Sequence, residues 1–316
     1  MRTTLIIVRY QYILPRQSIY FRNFAHCILW NHLSFGNFMD KDTQVSAAIL
    51  HEVRDMMDRV MNRVLISDPF VVENHHASKP LYAALVPDEI FKGSHFERRF
   101  VSPFGSIWEK LTVAAATVYH GRCEKGYTVR GTIGDASLRR IQEVLNRLEH
   151  PNNGVRTKPN WDKELAYIKA GGGNPVPVSV VCDIYIPSAK TGENYAFELK
   201  APLPNSDQTK VSKEKMFKLL SMNEHPVKSA YYALPYNPYG KNKEDYAWTF
   251  PARWFDMKHD ESVLIGEEFW DLVGGEGTYQ FFIKEINKLG VSYRERIYRE
   301  YLGIEPPAGF DDDILI

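Results

Sequence analysis

The sequence has no surplus of either charge, since 39 basic residues are balanced by 39 acidic ones in a chain of 316. That excludes a polycation that binds nucleic acid through bulk charge, so any such surface has to come from local clustering. Cysteine is scarce. Cys27, Cys123 and Cys182 are an odd set without metal-ligand spacing, which argues against a disulfide framework or a zinc site and for a reducing, cytoplasmic location. No run is apolar enough for long enough to span a bilayer. The first 38 residues lack lysine, aspartate and glutamate altogether, yet hold four arginines and many aromatics. They show neither the compact apolar core nor the small-residue cleavage site of a signal peptide. Composition changes sharply at Met39-Asp40-Lys41-Asp42. We read residues 1–38 as disordered or as a mis-called upstream extension, with Met39 the true start.

What is present is an ordinary globular composition, 44% hydrophobic and 25% charged. Residues 39–316 read as a single domain with a helical part at 39–177, a core at about 178–235 and a C-terminal part at 236–316. Ile49, Val53, Met56, Val60 and Val64 recur at helical spacing over 43–65. Residues 66–101, with prolines at 69, 80 and 87, read as irregular. A second helix is expected over 103–120. A third begins near Asp135, a suitable N-cap, with Leu138, Ile141, Leu145 and Leu148 on one face. Residues 150–177 read as loop. Strands are expected over 178–186 (VSVVCDIYI) and 194–200 (NYAFELK), joined by the turn-rich PSAKTGE. A helix over 208–223, a strand over 229–234 and helical segments over 278–302 broken at Gly290 complete an α/β pattern.

The hairpin carries the chemistry. Side chains alternate across a strand, so Val180, Cys182, Ile184 and Ile186 should share one face with Tyr195, Phe197 and Leu199. The opposite face then carries Asp183, Glu198 and Lys200. A hairpin centred at Lys190–Thr191 sets Asp183 across from Glu198, with side chains about 5 Å apart. Two carboxylates that close repel, and a hard divalent cation such as magnesium is the natural compensator. Lys200 adds a positive charge suited to a phosphate or an attacking water. Metal-assisted hydrolysis of a phosphodiester needs these parts. The plain alternative is a solvated sheet face with a cross-strand ion pair. Lys210, Lys213, Lys215 and Lys218 follow at once and could track a phosphate backbone. In PYNPYGKNKEDYAWTFPARWF (235–255), Arg253, Lys241 and Lys243 are candidate DNA contacts, and the aromatics read as core.

At these residues the sequence resembles the PD-(D/E)xK nuclease superfamily. Asp183 stands at the first acid and Glu198-Leu199-Lys200 at the second half of the motif, with Cys182 where proline is frequent. More narrowly it is similar to the TdeIII group of type II restriction endonucleases, through LVPDEIFKGSHFERRF (85–100), DIYIPSAKTGENYAFELKAPLPNSDQTK (183–210) and LIGEEFWDLVGGEGTY (264–279). The resemblance runs from about residue 40 onward. It implies a restriction-endonuclease-like mixed central sheet flanked by helices, and Mg2+-dependent cleavage of short palindromic duplex DNA of the GGNCC type. It also implies a cognate DNA methyltransferase as genetic partner, and a further metal-assisting acid on a helix before the sheet. Glu109 is the candidate for that acid, with Glu97 second. A palindromic target favours a homodimer. The rival readings are a structure-specific repair or recombination nuclease of the same fold and a non-catalytic DNA-binding module.

Overall fold

In the computed structural model the described residues are 41–187, 191–224, 227–312 and 314. They belong to a unit running Asp40–Ile316; the expectation placed on residues 1–38 lies outside them. Helix α1 (Lys41–Asn62) continues into a π-turn at Arg63–Ser67, and the predicted Ile49, Val53, Met56, Val60 and Val64 are all buried. Residues 66–101, read as irregular, instead hold α2 (Val72–Ser78), α3 (Pro80–Ala83) and most of α4 (Asp88–Gly105). Two of the three prolines there stand at helix starts: Pro80 is the first residue of α3 and Pro87 precedes α4, positions where a missing N–H costs nothing. Helix α5 (Ile107–His120) ends at Gly121, whose φ of 94° suits glycine.

Next come β1 (Glu124–Lys125), β2 (Thr128–Gly134), α6 (Asp135–Glu149) and α7 (Trp161–Lys169). The cap of α6 is Gly134, and Asp135 is the first helical residue; its Oδ1 accepts from the Asn174 N–H at 3.1 Å. Helix α7 and the start of the next strand occupy the stretch expected to be loop. The C-terminal half contains β3 (Pro175–Val181), β4 (Ile184–Pro187), β5 (Asn194–Leu199), α8 (Ser206–Ser221), β6 (Ser229–Leu234), β7 (Val263–Ile265), α9 (Glu267–Gly274) and α10 (Thr278–Arg296). Helix α10 runs unbroken through Gly290; a lone helical glycine costs only about 1 kcal/mol.

The central sheet has the order β1-β4-β5-β6-β7. β4 is antiparallel to β1 and β5, whereas β6 is parallel to β5 and β7. This is a mixed sheet with helices on both faces, the fold class that the resemblance implied. Ile184, Ile186, Tyr195, Phe197 and Leu199 pack into a core shared with α1, α5 and α9. Tyr185, Ala196 and Tyr232 face the other way, into a core shared with α6, α7 and α8.

The single strand expected over 178–186 is two. β3 pairs with β2 in a separate two-stranded sheet, while β4 belongs to the central one. Val180 and Cys182 therefore sit in the α6–α8 core, and Ile184 and Ile186 in the other. The turn before β2 holds the break: the Cys182 N–H donates to Tyr127 O at 3.0 Å, and the Gly126 N–H to Asp183 O at 3.0 Å.

Candidate active site

Asp183 occupies the elbow between β3 and β4, and Glu198 the penultimate position of β5. Pairing of Ile184 with Phe197, continued by one residue, opposes Asp183 to Glu198, which is the register read from the turn centre. Lys200 follows β5, its N–H bonded to Ala233 O at 3.0 Å. Its Nζ bridges the two acids, 2.5 Å from Asp183 Oδ2 and 3.3 Å from Glu198 Oε2. The Leu199 N–H also donates to Asp183 Oδ2, at 3.0 Å.

The face bearing these groups is not a solvated sheet surface. Helix α8 covers it, started by Asn205, whose side chain accepts from the Gln208 N–H at 2.8 Å. Ser212 and Lys215, one helical turn apart, both reach Glu198. Ser212 Oγ donates to Oε2 at 3.2 Å, and Lys215 Nζ lies 2.8 Å from Oε1 and 3.0 Å from Oε2. Glu198 is 1% exposed, whereas the Asp183 and Lys200 side chains keep about a fifth of their surface open. Burial, followed by the neighbouring Asp183 charge, pushes the Glu198 carboxyl above its usual range against the pull of the two lysines. Burial opposes the charge on Lys200, yet Glu198 and Asp183 outweigh it and leave the amine above its usual value. The ammonium form is the one this site favours.

The other candidates fall elsewhere. Glu109, on α5, forms an ion pair with Lys125 of β1, and Glu97 is exposed on α4. Among the described residues no group of three or more His, Cys, Asp or Glu is arranged to hold a metal ion. The lysines of α8 are each taken by a different glutamate: Lys210 by Glu149 at 2.5 Å, Lys213 by Glu164 at 2.6 Å, Lys215 by Glu198 and Lys218 by Glu214 at 2.7 Å. Lys213 is corrected from DNA contact to core residue. It is 0% exposed, is bonded to Trp254 O, and lies over the rings of Trp161, Phe217 and Phe255. Lys243 is likewise spent on Asp260 O and Val263 O, at 3.0 and 2.6 Å. Arg253 is half-buried; Lys210, and to a lesser degree His150 and then Arg253, hold the Glu149 carboxyl below its usual range against the effect of burial. The aromatics split: Trp254 is buried, and Phe250 is exposed.

Sequence reasoning passed over Lys215 as a site residue. The available signal was its spacing from Ser212, but that spacing points at Glu198 only once α8 is known to cover the sheet.

Two hard oxygen donors that converge on one ammonium suit a hard divalent ion. Magnesium is commonly held by one or two carboxylates and completed by water and phosphate oxygens. The donor set of Asp183 and Glu198 fits it.

The model of the HinfI type II restriction endonuclease family matches residues 45–290. The chain belongs to that family. Curated relatives from Herpetosiphon aurantiacus agree: type II restriction enzyme HgiCII is 24% identical over 71% of this chain and 82% of its own length. HgiBI and HgiEI, from the same organism, are 24% and 25% identical over 71% of this chain and 81% of theirs. No solved structure matches. The HinfI-family match covers every element of the central sheet, and the acids and lysines described above fall within it.

Proposed function

We propose that this chain is a magnesium-dependent type II restriction endonuclease that hydrolyses both strands of duplex DNA at a short palindromic site. The GGNCC type follows from its resemblance to the TdeIII group. The reading includes action as a homodimer in the cytoplasm beside a cognate DNA methyltransferase, and a single endonuclease domain from residue 39. Among the described residues, no helix is long and apolar enough to cross a membrane.

One observation carries the reading: Asp183, at the elbow between β3 and β4, and Glu198, on β5, converge on the Lys200 ammonium. Magnesium, when bound, would supply Lewis acidity toward a water and toward the charge on the phosphate. Asp183 and Glu198 are the residues that would hold it; Glu109 does not reach them here and would assist only by leaving Lys125. The partly open Lys200 Nζ donates hydrogen bonds to a phosphate oxygen or to the attacking water and stays charged while doing so. We assign Lys210 and Arg253 to the DNA backbone; Lys210, paired with Glu149 here, would have to leave that carboxylate to reach a phosphate.

Digestion of DNA of known sequence with added magnesium, with the ends mapped, tests this. Discrete fragments with a shared palindrome at every end are expected. A smear, or cutting confined to branched DNA, would move the chain to repair or recombination. Binding without cutting would make it a DNA-binding module.

A further inference from the structure

Asp183 and Glu198 are bridged twice. On one side Lys200 Nζ meets Asp183 Oδ2 at 2.5 Å and Glu198 Oε2 at 3.3 Å. On the other, Lys215 Nζ meets Glu198 Oε1 at 2.8 Å and stands 3.9 Å from Asp183 Oδ1. Two acids and two lysines make a charge-neutral square. A divalent cation joining the same acids needs oxygens that the ammonium groups now occupy, and keeping both lysines in place would crowd three cations around two carboxylates.

The two lysines are not equally placed to yield. Lys200 adjoins β5, with its backbone N–H bonded to β6. Lys215 comes from a helix outside the sheet, and 29% of its side chain is exposed. A flexible four-carbon stem with an open path to water can withdraw at small cost. Before a cation binds, a carboxylate as enclosed as Glu198 requires a counter-charge.

We infer that Lys215 is an internal counter-ion of the site, which competes with the divalent cation for Glu198 and leaves when the cation binds. This rests on the magnesium reading above. In that role Lys215 allows the metal-free protein to fold with its acids assembled, and it weakens cation binding. Two ligands that exclude one another at one carboxylate are negatively coupled, and the coupling is reciprocal.

The test is calorimetric titration of the full-length protein with magnesium, and with manganese as a second probe, in the absence of DNA. It is paired with thermal melts in chelator and in magnesium. For Lys215→Met, which keeps the stem and removes the charge, the expected result is cation binding about tenfold tighter than wild type. Its melting temperature in chelator should be lower, and its rise on adding magnesium larger, than those of wild type. Asp183→Asn should abolish the binding and so place it at these acids. Lys215→Arg, which keeps a cation, should bind magnesium no more tightly than wild type. Unchanged or weaker cation binding by Lys215→Met, with no larger thermal gain from magnesium, overturns the inference. If Lys215→Met folds only in magnesium, that dependence is itself the larger gain the inference requires. Wild-type protein that binds the cation at Asp183 but never cuts DNA would end the nuclease reading and leave the competition standing. Wild-type cutting with unchanged affinity in the variant would do the reverse.

Discussion

Lys213 and Lys215 stand two residues apart on α8 and reach opposite sides of it. Lys213 Nζ lies 2.6 Å from Glu164 on α7, and Lys215 Nζ lies 2.8 Å from Glu198 on β5. One ion pair fixes the helix to its neighbour in the core. The other presents a charge to the candidate site. Two lysines that look alike in sequence are therefore expected to fail differently when changed.

Lys213→Ala should lower stability by about 3 kcal/mol, because it leaves the Glu164 carboxylate buried without its partner. Replacing both partners with apolar residues, as in Lys213→Met with Glu164→Leu, should recover much of that loss. Chemical denaturation measures both. The salt dependence of DNA binding by the folded Lys213 variant should match wild type, since a residue with no exposed surface releases no counterions. A shallower salt slope would return Lys213 to the DNA interface.

Asp183→Ala or Glu198→Ala should reduce cleavage by on the order of 10^3-fold or more while DNA binding persists. Single-turnover rates and gel-shift affinities, measured side by side, decide this. Full activity in either variant would remove the site from the reaction.

Lys200→Ala should slow the chemical step by about 10^2-fold, and Lys200→Arg should not restore it. A planar guanidinium is larger than an ammonium and forks its donors differently, so it does not fit between the two carboxylates in the same way. A purely structural salt bridge predicts the contrary pattern of an active arginine variant and a destabilised but active alanine variant. Cleavage rates and thermal melts of the same preparations separate the two.

Acid should destabilise the fold through His95. Burial, aided by Arg99 and opposed by Asp68, holds the ring below its usual value of 6.5. The unfolded chain thus takes up the proton first. The stability tied to this residue is complete above about pH 6.5 and is lost as pH falls through the window down to the lowered value. Melting temperature should fall as pH is lowered through that window in the wild type, and less steeply in His95→Gln. Equal slopes would show that His95 is not the group responsible.

A chain starting at Met39 should fold and cut DNA like the full-length protein. The family match begins at residue 45, beyond the proposed start. Insolubility or lost activity of the shortened protein would make residues 1–38 part of the working enzyme.

The opposition of Asp183 and Glu198 was legible in the sequence because it depends only on where the turn is centred and on strand alternation. The apolar face of β5 was legible for the same reason. The split at Cys182 and Asp183 was not. It depends on β1 and β2, strands far upstream that pair with β4 and β3 respectively, and local pattern carries no trace of such long-range partners. Lys210, Lys213, Lys215 and Lys218 looked like a basic rail because their partners, Glu149, Glu164, Glu198 and Glu214, are mostly distant in sequence. Charge pattern along one segment shows where cations are, not which of them are already neutralised.

Along β5 successive side chains enter different cores: Phe197 sits among α1, α5 and α9, while Ala196 faces α6, α7 and α8. A slip of one residue against β4 would force Phe197 into the space beneath α8 and push the Glu198 carboxylate among aromatic rings. Such a molecule would not survive as a folded but inactive form. Quality control of the candidate site is thus delegated to folding itself: a chain that completes its sheet has aligned its acids, and one that misaligns them stays unfolded and open to proteolysis.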